Sequence, residues 1–257
     1  MPAGYAHYIF GQKVLEKLDP HYSQIIKRNI DLYDIGVHGP DILFYYNALS
    51  SNEISRLGFQ MHQKEAYDFF IEAKKLIQQS KDKEASISYI YGFITHFVLD
   101  HSCHPYIGQM EKELNMTHSE IESELDRKLL VERNLDPLTT SLTSHIHVNH
   151  YVGKIISPFF HLKEEDIYKA LKDLLFYLGC IKAPGKIKRN FIYLCMKIGG
   201  IYDNYKGLLI NYEANEKSMN CTMELIHRMD NSVDLAVKLI ESFLDEELDN
   251  VYHENFE

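Results

Sequence analysis

The stretch from Ile87 to His104 sets the tightest limit on how this chain can fold. Ile87, Ile90, Tyr91, Ile94 and Val98 recur at helical spacing, so the stretch reads as a strongly apolar helix, with Pro105 expected to stop it. A helix of that kind belongs in a core. Yet it carries His96, Asp100 and His104 at steps of four, which stack along one face. Three potential metal ligands therefore line one stripe of an otherwise core-like helix.

His118 and Glu122 repeat the spacing shortly afterwards. Thr117 precedes them as a cap, with Glu120 placed for a capping box, so the second pair also sits on a helix. Zinc takes imidazole nitrogen and carboxylate oxygen, and catalytic sites keep a position open for water. One His-x3-carboxylate pair is weak evidence, because it usually marks a solvated face or a helix salt bridge. Two pairs plus His104 favour a metal. Histidine usage agrees: nine of the 14 histidines fall between His62 and His161. No HExxH is present. The Glu-x-x-His pair that di-iron bundles need twice occurs only at Glu224–His227.

Elsewhere helical periodicity dominates. Phe69, Phe70, Ala73, Leu76 and Ile77 form one stripe; Ile167, Ala170, Leu171, Leu174, Leu175 and Leu178 form another. Val233, Val237, Ile240, Phe243 and Leu244 form a third, behind a Ser232 cap. Alternating strand patterns are missing, and no break is long enough to be a linker. The expectation is an all-α fold, a single domain over residues 1–257 of roughly eight to ten helices. Net charge is −10, which argues against a general affinity for nucleic acid. The four cysteines are widely spaced and form no CxxC, so reduced buried thiols are expected. The first residues show no basic and apolar leader, and no stretch approaches 18 apolar residues. A cytoplasmic protein without a transmembrane segment is the expectation.

At this point the chain resembles the zinc-dependent phospholipase C family, related in fold to the S1/P1 nucleases. That pattern is an early His, an Asp, a His, then His-x3-Asp, a further His, and His-x3-Glu. Here these are His7 in Gly4-Tyr5-Ala6-His7, Asp41 in Gly39-Pro40-Asp41, His62, the pair His96 and Asp100, then His104, and the pair His118 and Glu122. His104 follows Asp100 by four residues where the family has six. The resemblance covers residues 1 to about 125; the remainder matches only as further helices.

The resemblance implies two or three Zn2+ ions. One would be held by Asp41, His62, His96 and Asp100, and a second by His104, His118 and Glu122. A third would use His7, the bridging Asp100 and an N-terminal Trp. This sequence has no Trp, so two tightly held ions and a weaker third are expected, with His38, His101 or backbone near His7 completing the third set. The implied activity is hydrolysis of a phosphate ester, of a phospholipid or of a smaller molecule. Zinc would neutralise phosphate charge and acidify a bound water, and Asp41 is the candidate for orienting that water or taking its proton. A metal-binding helical protein without turnover, and a nuclease on the same scaffold, are the alternatives.

Other residues carry weaker expectations. His38, His101 and Cys103 are candidates for supporting the ligands. His145, His147 and His150 suit no single helical face and read as a solvated loop. Phe44, Tyr45 and Tyr46 read as core aromatics that could also line a cleft. The acidic tail from Glu241 to Glu257 reads as a solvated helix end.

Overall fold

The structure is a computed structural model that describes residues 4–245 and 247–256. It is all-α, as expected. Among the described residues there are thirteen α-helices and no strand. They are α1 (Gly4–Lys17), α2 (Pro20–Arg28), α3 (Ile30–Gly36), α4 (Glu53–His62), α5 (Tyr67–Gln79), α6 (Lys83–Leu114) and α7 (His118–Glu132). Then follow α8 (His150–Ile156), α9 (Glu164–Ile181), α10 (Lys186–Ile198), α11 (Tyr202–Tyr205), α12 (Met219–Asn231) and α13 (Val233–Ser242). The count exceeds the expected eight to ten because several helices are only four to ten residues long, too short to show a full apolar stripe in sequence. Ser232 lies between α12 and α13 but does not cap α13: its hydroxyl donates back to the Arg228 carbonyl at 2.8 Å.

Helix α6 is the axis of the fold. Every residue from Ala85 to Asp100 is buried, and α1, α2, α3, α5, α7, α12 and α13 all pack against it. A helix apolar on every side can only sit inside. Contrary to expectation, α6 does not end at Pro105 but runs to Leu114, closing on Asn115 in the left-handed conformation (φ 51°). A proline inside a helix costs about 3 kcal/mol. Ile107 and Met110, both buried beyond it, offset that, since each buried side chain of this size contributes about 1.5–3 kcal/mol. His104 is therefore held on the same rigid rod as His96 and Asp100, not on a loop.

Helices α3 and α6 cross at contact distance through Gly36 and Gly92. A Cβ at Gly92 would lie 2.3 Å from the Tyr33 carbonyl oxygen, and one at Gly36 would lie 2.2 Å from that of Tyr89. Backbone occupies that space and cannot yield as a side chain would. This crossing sets where the chain leaves α3 towards Gly39 and Asp41. Gly92→Ala is expected to lower stability by about 1–3 kcal/mol, read as a fall in thermal midpoint; an unchanged midpoint would mean the helices can separate freely.

Contrary to expectation, the described part of the acidic tail is not a solvated helix end; Glu246 and Glu257 lie outside the described residues. The last turn, Asn250–His253, folds back beside α5, and Tyr252 and Phe256 are buried. The Phe256 N–H donates to the His62 carbonyl at 3.3 Å, and the Ala66 N–H donates to the Glu254 carbonyl at 3.0 Å. Two aromatic side chains among the acids outweigh the solvation of the acids, of which Asp245, Glu247 and Glu254 remain exposed.

A candidate metal centre

Five elements deliver eight side chains to one place. His7 comes from the second turn of α1, Asp41 from a 3-10 turn over Gly39–Tyr45, and His62 from the last turn of α4. His96, Asp100 and His104 come from α6, and His118 and Glu122 from the first turns of α7. The α7 start carries the capping box expected for Thr117 and Glu120. The start of α1 is held by Asp126, whose carboxylate accepts from the Ala6 N–H at 2.8 Å and the Tyr5 N–H at 3.4 Å. Its oxygens satisfy orphan N–H donors at the helix start and also tie His7 to the helix bearing Glu122. Burial raises the Asp126 pKa well above the carboxylate range, against the two N–H bonds that lower it.

Asp100 is the hub. One oxygen lies 3.2 Å from His7 Nε2 and 3.4 Å from His104 Nε2; the other lies 3.0 Å from His96 Nε2 and 3.7 Å from His62 Nε2. Asp41 Oδ1 lies 2.9 Å from His62 Nε2. Glu122 Oε1 lies 3.3 Å from His118 Nε2 and 3.8 Å from His104 Nε2. Three groups of three donors result: His7, His96 and Asp100; Asp41, His62 and His96; His104, His118 and Glu122. Within each group the ligating atoms lie within 4.8 Å of one another. Asp41 sits where it does because Gly39 adopts φ +50°, and a Cβ there would lie 2.2 Å from the His96 ring. Glycine takes that conformation without strain, and the contact with His96 leaves no room for a Cβ.

Close as these atoms are, several are not aligned as hydrogen bonds. Asp41 Oδ1, His62 Nε2, Asp100 Oδ2, Glu122 Oε2 and both ring nitrogens of His96 are buried without a hydrogen-bond partner. Buried polar atoms are nearly always satisfied, so a cluster of bare lone pairs is what a cation site looks like. His62 shows the matching orientation: its Nδ1 donates to the Gly58 carbonyl at 2.8 Å. That bond fixes the proton on Nδ1 and leaves the Nε2 lone pair facing the cluster. Three carboxylates and five imidazoles with no Lys or Arg among them fit a divalent cation of zinc's preferences.

The electrostatics agree. Burial opposes the charge on Asp100, but His104, His96 and His7 hold its carboxyl well below the usual range. Burial likewise opposes protonation of His104, yet Asp100 and Glu122 push it up to about 9. For His62, burial is outweighed by Asp41 and Asp100, and its pKa rises. The carboxylates thus attract positive charge to these nitrogens.

The cluster opens at one end. Side-chain exposure is 0–7% for the other seven residues and 37% for His118. Beside the closed end, the Phe256 ring packs 5.4 Å from His62 and 5.9 Å from His96. Phe44 lies 5.2 Å from His62 and stacks on Phe59 at 4.2 Å.

Of the supporting candidates, His38 is buried and its Nε2 meets His145 Nε2 at 2.8 Å. His145 is therefore no solvated loop residue: it is buried and stacks on Tyr8 at 4.0 Å, because the surrounding chain lays its ring between two aromatic partners. His147 and His150 are exposed. His101 stacks on Phe97 at 5.9 Å and joins none of the donor groups. Cys103 is buried, and burial lifts its thiol to about 12, so it stays a neutral packing group. Asp126 and Phe256 escaped the sequence reading. The Glu122–Asp126 spacing of four was a usable signal for the first; nothing in the tail marks the second.

An all-helical fold that gathers five histidines around buried carboxylates is of a class able to hold divalent cations. A sequence profile described as zinc dependent phospholipase C matches residues 6–178, and the chain belongs to that family. Neither the curated proteins nor the solved structures gave a match. No helix among the described residues is long and apolar enough to cross a membrane.

Proposed function

We propose that the chain is a zinc-dependent hydrolase of phosphate esters, and that the eight clustered residues are its metal ligands. The observation that carries this reading is His96. Its ring is fully buried, its Nδ1 has no hydrogen-bond partner, its Nε2 meets Asp100 Oδ2 at 3.0 Å without the alignment of a good hydrogen bond, and it falls in two donor groups. A core histidine in a merely structural role would have found a partner.

Asp41, His62, His96 and Asp100 would hold one ion, His104, His118 and Glu122 a second, and His7 with Asp100 a third. Bound zinc supplies charge neutralisation for a phosphoryl group and acidifies water. The protein's own part is to fix the ligands on rigid helices. Asp41 Oδ1, bare and 2.9 Å from His62 Nε2, would face the first ion, which leaves the other carboxylate oxygen as the candidate for taking a proton from an attacking water. The opening at His118 gives a phosphate ester its approach, while Phe256 seals the far side. The family makes a phospholipid one substrate to test, alongside smaller phosphodiesters.

Zinc analysis and chromogenic phosphodiester and phosphomonoester assays on the purified protein test the reading. At least two equivalents of zinc with turnover are expected; a folded protein that cannot be loaded would refute it. Asp41→Asn is expected to lower turnover by about a hundredfold or more while retaining most of the zinc. If zinc falls as far as activity, Asp41 is a ligand only.

A further inference from the structure

Helix α10 lies beyond the residues that match the family profile, and its surface is unusual. Ile187, Phe191, Leu194 and Ile198 are 90%, 65%, 54% and 79% exposed. Their spacing of four, three and four puts them on one face of the helix. The opposite face carries buried Arg189 and Met196. Lys186 and Lys197 flank the apolar stripe on one side and Lys188 on the other. From Leu174 to Tyr202 the chain has five basic residues and no acidic one, within a protein of net charge −10.

We propose that α10 is an interfacial helix that docks this protein on an anionic lipid bilayer. A convex apolar stripe between lysines suits the boundary between headgroups and acyl chains. The apolar side chains would bury in the outer acyl region, while the lysines meet negative headgroups. Charge decides between possible occupants. A second copy of this chain brings the same cations to the contact, whereas an anionic surface neutralises them. Lys188 donates to the Gly179 and Lys182 carbonyls and Lys197 lies over the Tyr202 ring, so it is their net positive charge beside the stripe that a zwitterionic surface would leave unbalanced.

The experiment is co-sedimentation of the zinc-loaded full chain with vesicles. Binding to phosphatidylglycerol–phosphatidylcholine vesicles is expected, weakened by added salt and much weaker on phosphatidylcholine alone. Ile187→Ser with Phe191→Ser and Ile198→Ser is expected to reduce vesicle binding more than about tenfold. Lys186→Glu with Lys197→Glu is expected to do likewise on anionic vesicles. All these side chains are exposed and far in sequence from the metal cluster, so the thermal midpoint and turnover of a soluble chromogenic ester should not change. Failure of the parent protein to bind anionic vesicles would overturn the proposal. So would equal binding by the serine variant, or a solution dimer that this variant dissolves. Vesicle binding is read without turnover, so its failure is distinct from failure of the phosphoesterase reading.

Discussion

Asp100→Asn is expected to abolish turnover and release zinc, although it alters a single atom of the side chain. The Asp100 carboxylate is within 3.7 Å of four imidazoles. An asparagine there offers one neutral oxygen and turns an NH2 towards rings whose lone pairs should face a cation. Changing groups that merely support metal ligands typically costs ten- to a hundredfold; loss of a bridging ligand should exceed about a hundredfold in rate. Elemental analysis should show at least one equivalent fewer of zinc, with helical circular dichroism retained because α6 keeps its apolar packing. A variant with full zinc and near-normal turnover would remove Asp100 from the centre of the site.

Zinc itself should be a major source of stability. The metal-free protein must keep bare oxygen and nitrogen lone pairs buried around Asp100, at a cost of about 1–3 kcal/mol for each unsatisfied group. A ligand that binds only the folded state at a thousand times its Kd adds about 4 kcal/mol. For a chain near this size, 1 kcal/mol moves the midpoint about 2–4 °C. Chelation should therefore lower the thermal midpoint by about 10 °C, and zinc, but not magnesium, should restore it, because nitrogen-rich donors select against hard cations. A midpoint indifferent to chelator would contradict the assignment of these residues as ligands.

Much of this site was legible because helices write their geometry into sequence. His96, Asp100 and His104 recur at the period that stacks them, and His118 and Glu122 repeat it behind a capping box the structure contains. The order of His7, Asp41 and His62 carried the rest through family resemblance. What stayed hidden depended on contacts distant in the chain. Pro105 reads as a stop by local rules, yet tertiary burial of Ile107 and Met110 carries α6 past it. His145 looks like a polar loop residue until Tyr8 and His38 close on it. The acidic tail hides Phe256, whose partners His62, His96 and Phe97 lie far upstream.

Those distant partners also dictate an order of assembly. His7 is anchored through Ala6 to Asp126, 120 residues later, and the wall behind His62 is supplied by Phe256. A chain emerging from the ribosome therefore exposes the carboxylates and imidazoles of α6 well before their enclosure exists. Loops of this length close at a modest entropic penalty, but slowly. Until Phe256 has been synthesised and docked, an incoming ion meets a wet and incomplete set of donors. High-affinity metal capture would then wait on the docking of Phe256 against His62 and His96.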